Sequence, residues 1–326
     1  MNNQAHLKNR KNLKPTIRLE VFRHDEKDTS EHDHTAQLTD KGKLGALKAG
    51  RKKSPHMNEG YVLASPRERA LHSAILQFFG PQIQDIALHD GSLQEALKKL
   101  KNHKIKNKSG KTTHAAERIS IDERLNFHVE SHAEFNKRFY DEYAKKDQNR
   151  TLDFQLKDSD QLILDLAKRV RSPSDQKALG VIKIKGFKRM VGDLAEVLLE
   201  YFQKYPQWQK AYEKSPQDYD SPEMQIFVGT HSQNVECFLM KVIEIKEGPI
   251  ALEDFLQSLD QRKSFIDYSE GFTMEIIATK TGQLTGTLQY KKRVYQISAK
   301  ELKAMVQERD DFNHEVQKKI EEDPDA

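Results

Sequence analysis

The sequence holds one cysteine, Cys237, in 326 residues. No internal disulfide can form, and a reducing compartment fits best. No run approaches the roughly 18 apolar residues that span a bilayer. Met1 to Lys14 is polar and basic, without the apolar stretch of a secretory signal. These absences point to the cytoplasm and away from a membrane. Excess charge is also scarce: 54 basic against 50 acidic residues leave +4, which suits anionic ligands but does not mark a nucleic-acid binder. What the chain does have is 36% hydrophobic residues over a length that serves one large domain or two ordinary ones.

Periodicity sets the order of elements. Residues 1–14 read as a disordered arm. Residues 17–22 (IRLEVF) alternate apolar and polar, the period of a strand, and run into Arg23 and His24. After a charged loop from Asp25 to Gln37, Thr39 caps a helix predicted to reach Arg51. Residues 61–64 (YVLA) form a short apolar strand. Ser65, Pro66 and Glu68 then have the spacing of a helix start, with Ser65 as the cap, Pro66 at the first position and Glu68 closing a capping box. Leu71, Ala74, Ile75 and Phe78 mark that helix's buried face. Residues 98–111 carry seven lysines and no acid and read as an exposed insertion. Ile119 to Leu125 suggests another strand and its exit loop.

From 128 to 215 the pattern is helical. Phe135, Phe139 and Tyr143 make one stripe, and Phe187, Met190, Val191, Leu194, Leu198 and Tyr201 make a longer one. Residues 224–229 (MQIFVG) form a strand that ends at Thr230 and His231. The next helix places Val235, Leu239, Val242 and Ile243 on one face. Residues 272–277 and 284–297 are further strands, joined by a turn near Gly282, and the chain ends in a charged helix and an acidic tail. Strands alternating with helices predict an α/β fold, a three-layer sandwich on a mostly parallel central sheet with a helical insertion or cap. The expected divisions are the arm 1–14, an α/β core of 15–127 and 216–300, a helical insertion at 128–215, and a C-terminal helix and tail at 301–326.

Three predicted strands end in residues suited to phosphate: Arg23 and His24, then Ser65 and Pro66, then Thr230 and His231. In open α/β sheets ligands bind at the carboxyl ends of strands. Arg23 and Arg69 offer planar forks that match phosphate oxygens. Arg69 also lies in the first turns of a helix, whose N-terminus favours anions. A neutral imidazole is a nucleophile at ordinary pH, which makes His24 a candidate. His231 is placed to donate to the transferring group.

The motifs around these residues carry a resemblance. Arg23-His24-Asp25 is similar to the Arg-His-Gly motif of the histidine phosphatase (phosphoglycerate mutase-like) superfamily. Leu38-Thr39-Asp40-Lys41-Gly42 resembles the helix start that follows it. Ser65 to Ala74 (SPRERALHSA) resembles Ser-x-x-x-Arg-Ala-x-x-Thr-Ala and selects Arg69 over Arg67. Gly229-Thr230-His231 resembles the strand-borne second histidine. The match covers roughly 17–80 and 224–243. It implies a phosphomonoester hydrolase with His24 as phospho-acceptor and with Arg23, Arg69 and His231 around the phosphoryl group. A small phosphorylated substrate is expected, with no cofactor and no metal. A phosphate-binding relative of low activity and a phosphomutase are the alternatives.

Two positions depart from that pattern. Asp25 replaces the glycine after the nucleophile. The general acid also lacks its motif, because Arg124-Leu125-Asn126 is followed by Phe127 and His231 by Ser232. Glu130, His128 and Asp25 remain as candidates, with Glu130 taken forward. Other clusters read as ordinary surface or core. Glu31-His32-Asp33-His34 lacks further spaced metal ligands. His128 to His132 has its glutamate misplaced for a zinc-protease helix. The lysine stretch lacks interleaved aromatics for RNA, and Cys237 fits packing within a helix.

Overall fold

The computed structural model describes residues 13–28, 36–53, 55–56, 58–83, 91–127, 152–168, 172–179, 185–260 and 266–321. The contacts divide the chain into two compact units. One comprises Met1–Leu125, Leu199–His231 and Asp267–Ala299; the other comprises Asn126–Leu198, Ser232–Ile266 and Lys300–Ala326.

The first unit holds a seven-stranded mixed sheet. Its strands are β1 (Thr16–Arg23), β2 (Gly60–Ala64), β5 (Ile119–Ile121), β6 (Glu223–Thr230), β7 (Gly271–Ala278), β8 (Leu284–Tyr290) and β9 (Arg293–Ile297). They lie in the order β5-β2-β6-β1-β7-β8-β9. The first four are mutually parallel. The last three continue the sheet as an antiparallel meander, with Gly282 at φ 81 in the turn between β7 and β8. Glycine takes that left-handed conformation without a Cβ clash.

Helices α1 (Asp40–Lys53), α2 (Glu68–Phe78) and α3 (Leu93–Asn102) belong to the same unit. Ala74, Ile75 and Phe78 of α2 join Phe22, Val62 and Phe227 in a buried cluster. Burying a side chain such as Phe22 stabilises by about 1.5–3 kcal/mol. Leu19 and Met274 pair across β1 and β7, so they occupy the sheet face opposite Phe22. There Phe202 covers Gly286: a Cβ on Gly286 would come within 2.5 Å of Met274 Cε and 2.9 Å of the Phe202 ring. Phe202 lies in the C-terminal part of a long helix, α6 (Phe187–Lys214). Helix, sheet and helix form the three layers expected of an α/β chain.

The second unit is helical among the described residues. It takes α4 (Leu152–Ala167), α5 (Pro173–Leu179), the start of α6, α7 (Ser232–Glu247), α8 (Pro249–Asp260) and nearly all of α9 (Ala299–Glu321). Leu162, Ile163, Ala178, Leu179, Phe312 and Val316 form its core cluster. The first turn of α6 is capped from α4: Phe187 N–H donates to Ser159 Oγ at 2.9 Å and Lys188 N–H to Asp160 at 3.1 Å. Arg309 of α9 bridges Asp193 and Glu196 at 2.8 Å each. Val235, Leu239, Val242, Ile243 and Cys237 of α7 are all fully buried.

Two local expectations gain detail and one is corrected. The seven lysines of the 98–111 stretch are exposed, and the stretch has regular structure of its own. Lys98 to Asn102 ends α3, and a hairpin of β3 (Lys104–Lys106) and β4 (Thr112–His114) follows. Leu100 and Ile105 are buried inside it, so apolar spacing outweighed charge density. The strand and exit loop expected over Ile119–Leu125 are β5, ending at Ile121, and a 3-10 turn over Glu123–Leu125. The helix expected to start at Ser65 begins at Glu68, with Arg67 as its N-cap and no side-chain cap. The stripe at Phe135, Phe139 and Tyr143, the cluster Glu31 to His34, His128 to His132, and most of the N-terminal arm lie outside the described residues. Among the described residues no helix is long and apolar enough to cross a membrane.

Gly229 shows how tightly α2 sits on β6. A Cβ there would approach Ala70 O to 2.6 Å and Ala74 Cβ to 2.9 Å. Gly229→Ala is therefore expected to cost about 1–3 kcal/mol through overpacking, measured as a lower urea midpoint. An unchanged midpoint would contradict this seating of the helix.

Candidate active site

β6 lies between β1 and β2, and the register levels three strand ends. Arg23 pairs with Thr230 and Ala64 with Gly229. Backbone bonds carry the ladder one residue further: His24 N–H donates to Thr230 O at 3.0 Å, and Ser65 N–H to Gly229 O at 2.9 Å. Arg23, His24, Ser65 and His231 thus emerge side by side although far apart in sequence. Thr230 Oγ1 donates to Leu125 O at 2.7 Å and ties the central strand end to the turn after β5.

His24 is 6% exposed. Its Nδ1 lies 2.7 Å from Asp25 O. A carbonyl only accepts, so Nδ1 carries the proton and Nε2 keeps its lone pair. Arg69 Nε–H donates to that same Nε2 at 3.1 Å, which fits the same tautomer. Burial holds the imidazole neutral, pushing its pKa from 6.5 down to about 3; repulsion from Arg69, Arg23 and Lys27 adds to this, against the raising effect of the Asp25 carbonyl. The His231 ring stands edge to face with His24, 5.3 Å between centroids. His231 Nε2 and Ser65 Oγ share a hydrogen bond at 2.9 Å. Ser65 Oγ also accepts from Arg67 N–H at 3.4 Å, but it lies two residues before the N-cap and does not cap α2.

Of the two arginines flanking Glu68, Arg69 reaches His24, and both are buried, at 1% exposure for Arg67 and 2% for Arg69. Arg23 stacks on a ring: its Cζ is 4.3 Å from the centroid of Tyr268. The arrangement gathers two imidazoles, a hydroxyl and positive charge at the carboxyl ends of parallel strands, a setting suited to a tetrahedral anion.

Asp25 is held through both its backbone and its carboxylate. Its N–H donates to Ser73 Oγ at 2.9 Å. Its carboxylate accepts from Glu26 N–H at 2.8 Å and from Ser269 Oγ at 2.6 Å. It also packs on Gly45, where a Cβ would lie 2.5 Å from Asp25 Oδ2. Burial pushes its pKa up, against the hydrogen bonds that pull it down. Ser269 sits at φ 57, a left-handed conformation that costs roughly 1–2 kcal/mol for a side-chain-bearing residue. Glu130 and His128, the other two acid candidates, lie outside the described residues.

Several residues of this cluster escaped the sequence reading. Ser65 is named at its strand end, but its bond to His231 has no signal in the sequence. Ser73 lies four residues after Arg69, on the same helix face, and that spacing was the available signal. Tyr268 and Ser269 had none, because their partners at 23 and 25 are remote in the chain. Among the described residues no group of three or more metal-type side chains comes together.

No protein-family model and no curated protein matches the sequence. Among solved structures, a mycobacterial hydrolase aligns over 90% of this chain and 97% of its own at 12% identity, with a TM-score of 0.41. A mycobacterial glucosyl-3-phosphoglycerate phosphatase aligns over 85% of this chain and 97% of its own at 11% identity, with a TM-score of 0.40. A Hafnia alvei phytase in its apo form aligns over 92% of this chain and 96% of its own at 11% identity, with a TM-score of 0.31. The likeness is loose in all three, and the chemical reading rests on the site's own distances.

Proposed function

We propose that the protein is a phosphomonoester hydrolase in which His24 Nε2 attacks phosphorus. The observation that carries this reading is the tautomer of His24: Nδ1–H is bound to the Asp25 carbonyl, and Nε2 points to Arg69. A buried, neutral, oriented imidazole flanked by cations is built to meet an anion.

Two steps follow. In the first, the Nε2 lone pair forms a bond to phosphorus as the P–O ester bond breaks, and an acid protonates the leaving oxygen. In the second, the deprotonated acid takes a proton from water as the water oxygen bonds to phosphorus, the N–P bond breaks with its electron pair returning to Nε2, and inorganic phosphate leaves. Arg69 Nε–H transfers from Nε2 to an incoming phosphate oxygen, so one donor holds the nucleophile beforehand and the anion afterwards. Arg23 and His231 take the remaining oxygens. Asp25 accepts two hydrogen bonds at its carboxylate and serves the backbone, so Glu130 stays the proposed acid. A small phosphorylated substrate follows from the chemistry.

His24→Ala is expected to reduce hydrolysis of an aryl phosphate to background, and Arg69→Ala to lower kcat by about 10²–10³. Equal rates in wild type and His24→Ala would remove His24 from the mechanism. Acid quenching after mixing with a labelled substrate should leave no stable label, while alkaline quenching retains it on the wild type only. Phosphate binding without any such adduct would favour the inactive relative.

Glu130→Gln should slow an alkyl phosphate far more than para-nitrophenyl phosphate, whose leaving group needs little protonation. An equal loss on both substrates would exclude Glu130 as the acid.

Acidity should also destabilise the fold. His24 stays neutral to about pH 3 and the buried His72 to about pH 4, where burial again is the main cause. The unfolded chain protonates both near 6.5. Stability from these sites is full above pH 6.5 and is lost as pH falls toward the folded values, on the order of 2–3 kcal/mol per pH unit. Urea midpoints at pH 7, 6 and 5 test this, and His72→Leu should remove about half the slope. A flat midpoint would show that these imidazoles charge inside the fold.

A further inference from the structure

We propose that Tyr268 is a positioning residue for Arg23 and that the segment Tyr268–Glu270 clamps the peptide around His24. This rests on the phosphatase reading for what the cradle does, though not for the contacts themselves.

Three consecutive residues each make one contact with the Arg23–Asp25 segment. The Tyr268 ring face lies on the Arg23 guanidinium, 4.3 Å from Cζ to centroid. Ser269 Oγ donates to Asp25 Oδ2 at 2.6 Å. The Glu270 carbonyl accepts the Arg23 N–H at 2.9 Å. The first and third fix Arg23 at both ends, side chain and backbone. The second fixes Asp25, whose carbonyl sets the His24 tautomer. Ser269 is itself held from behind, accepting from Gln77 Nε2 at 3.1 Å.

The geometry suits anion binding. A stacked guanidinium spends its face on the ring and keeps its N–H groups in plane at the rim, where a phosphate oxygen bonds. Tyr268 is 44% exposed, so core packing does not account for an aromatic residue there. The contact belongs to the ring and not to the hydroxyl, so phenylalanine should replace tyrosine while leucine and alanine should not. The left-handed backbone at Ser269 is the kind of local cost that persists where surrounding contacts over-determine it.

The test measures inorganic phosphate affinity by calorimetry, and KM and kcat on an aryl phosphate, for the wild type, Tyr268→Phe, Tyr268→Leu and Tyr268→Ala. Loss of the ring should weaken phosphate binding and raise KM by roughly 2- to 30-fold, with kcat moving less. Tyr268→Phe should restore both. Tyr268→Ala should add nothing in an Arg23→Ala background. Melting temperature is recorded for each, because a merely structural role would lower it without splitting KM from kcat.

Alanine binding phosphate as well as wild type overturns the proposal. So does phenylalanine failing as badly as alanine, or full additivity with Arg23→Ala. A wild type that binds phosphate but hydrolyses nothing removes the hydrolase reading, and the affinity series still decides the role of Tyr268. A wild type that binds no phosphate overturns both.

Discussion

The position of β6 governs the site. Hydrogen bonds from both its edges, to β1 on one side and β2 on the other, bring three strand ends to one level. Every polar group around His24 takes its place from that register. A shift of one residue in the pairing would turn His231 to the opposite face of the sheet. Helix α2 depends on the same strand, since Gly229 lets Ala70 and Ala74 come close enough to bring Arg69 onto the imidazole. Backbone pairing places the groups, and side-chain chemistry then acts on what has been placed.

A second constraint is a line of buried and half-buried polar groups that leads to the site. Arg18 pairs with Glu20 at 2.7 Å, and Lys53 lies 3.6 Å from Glu20. Lys53 donates to Gln77, Gln77 to Ser269, and Ser269 to Asp25. Phe22 roofs Lys53, with the ammonium 4.2 Å from its ring, and burial pulls the lysine pKa down. Each member has partners, as buried polar groups require. The line terminates on the residue where related motifs carry glycine. Asp25 thus exchanges backbone freedom for a side chain anchored on three sides.

Local pattern made the strands around the site legible. Alternation in residues 17–22 and the apolar runs at 61–64 and 224–229 marked where strands stop, and chemistry-bearing residues stood at each stop. Pairing order was not legible, because nothing local tells β6 to lie between β1 and β2. The capping-box spacing from Ser65 to Glu68 misled because the helix starts later: Arg67 is the N-cap, and Ser65 Oγ serves His231 and the Arg67 N–H instead. The lysines of 98–111 hid Leu93, Ala96, Leu100 and Ile105, whose burial gives that region a helix and a hairpin. Tyr268 and Ser269 carry no local signal because their partners lie 245 and 244 positions away.

The ends of the sheet bear on how copies of the protein meet. β5 is three residues long and offers little template to a second chain. β9 is longer, but Lys291, Lys292 and Arg293 stand at its start, and Lys291 takes a left-handed turn at φ 52. Lys291 is paired with Glu270 at 2.6 Å, and a parallel pairing of two such margins would set Lys292 and Arg293 against their own copies, a familiar guard against runaway sheet extension. The exposed Val294 on the outermost strand thus sits directly after two lysines and an arginine, the kind of charged flank that discourages edge-to-edge pairing.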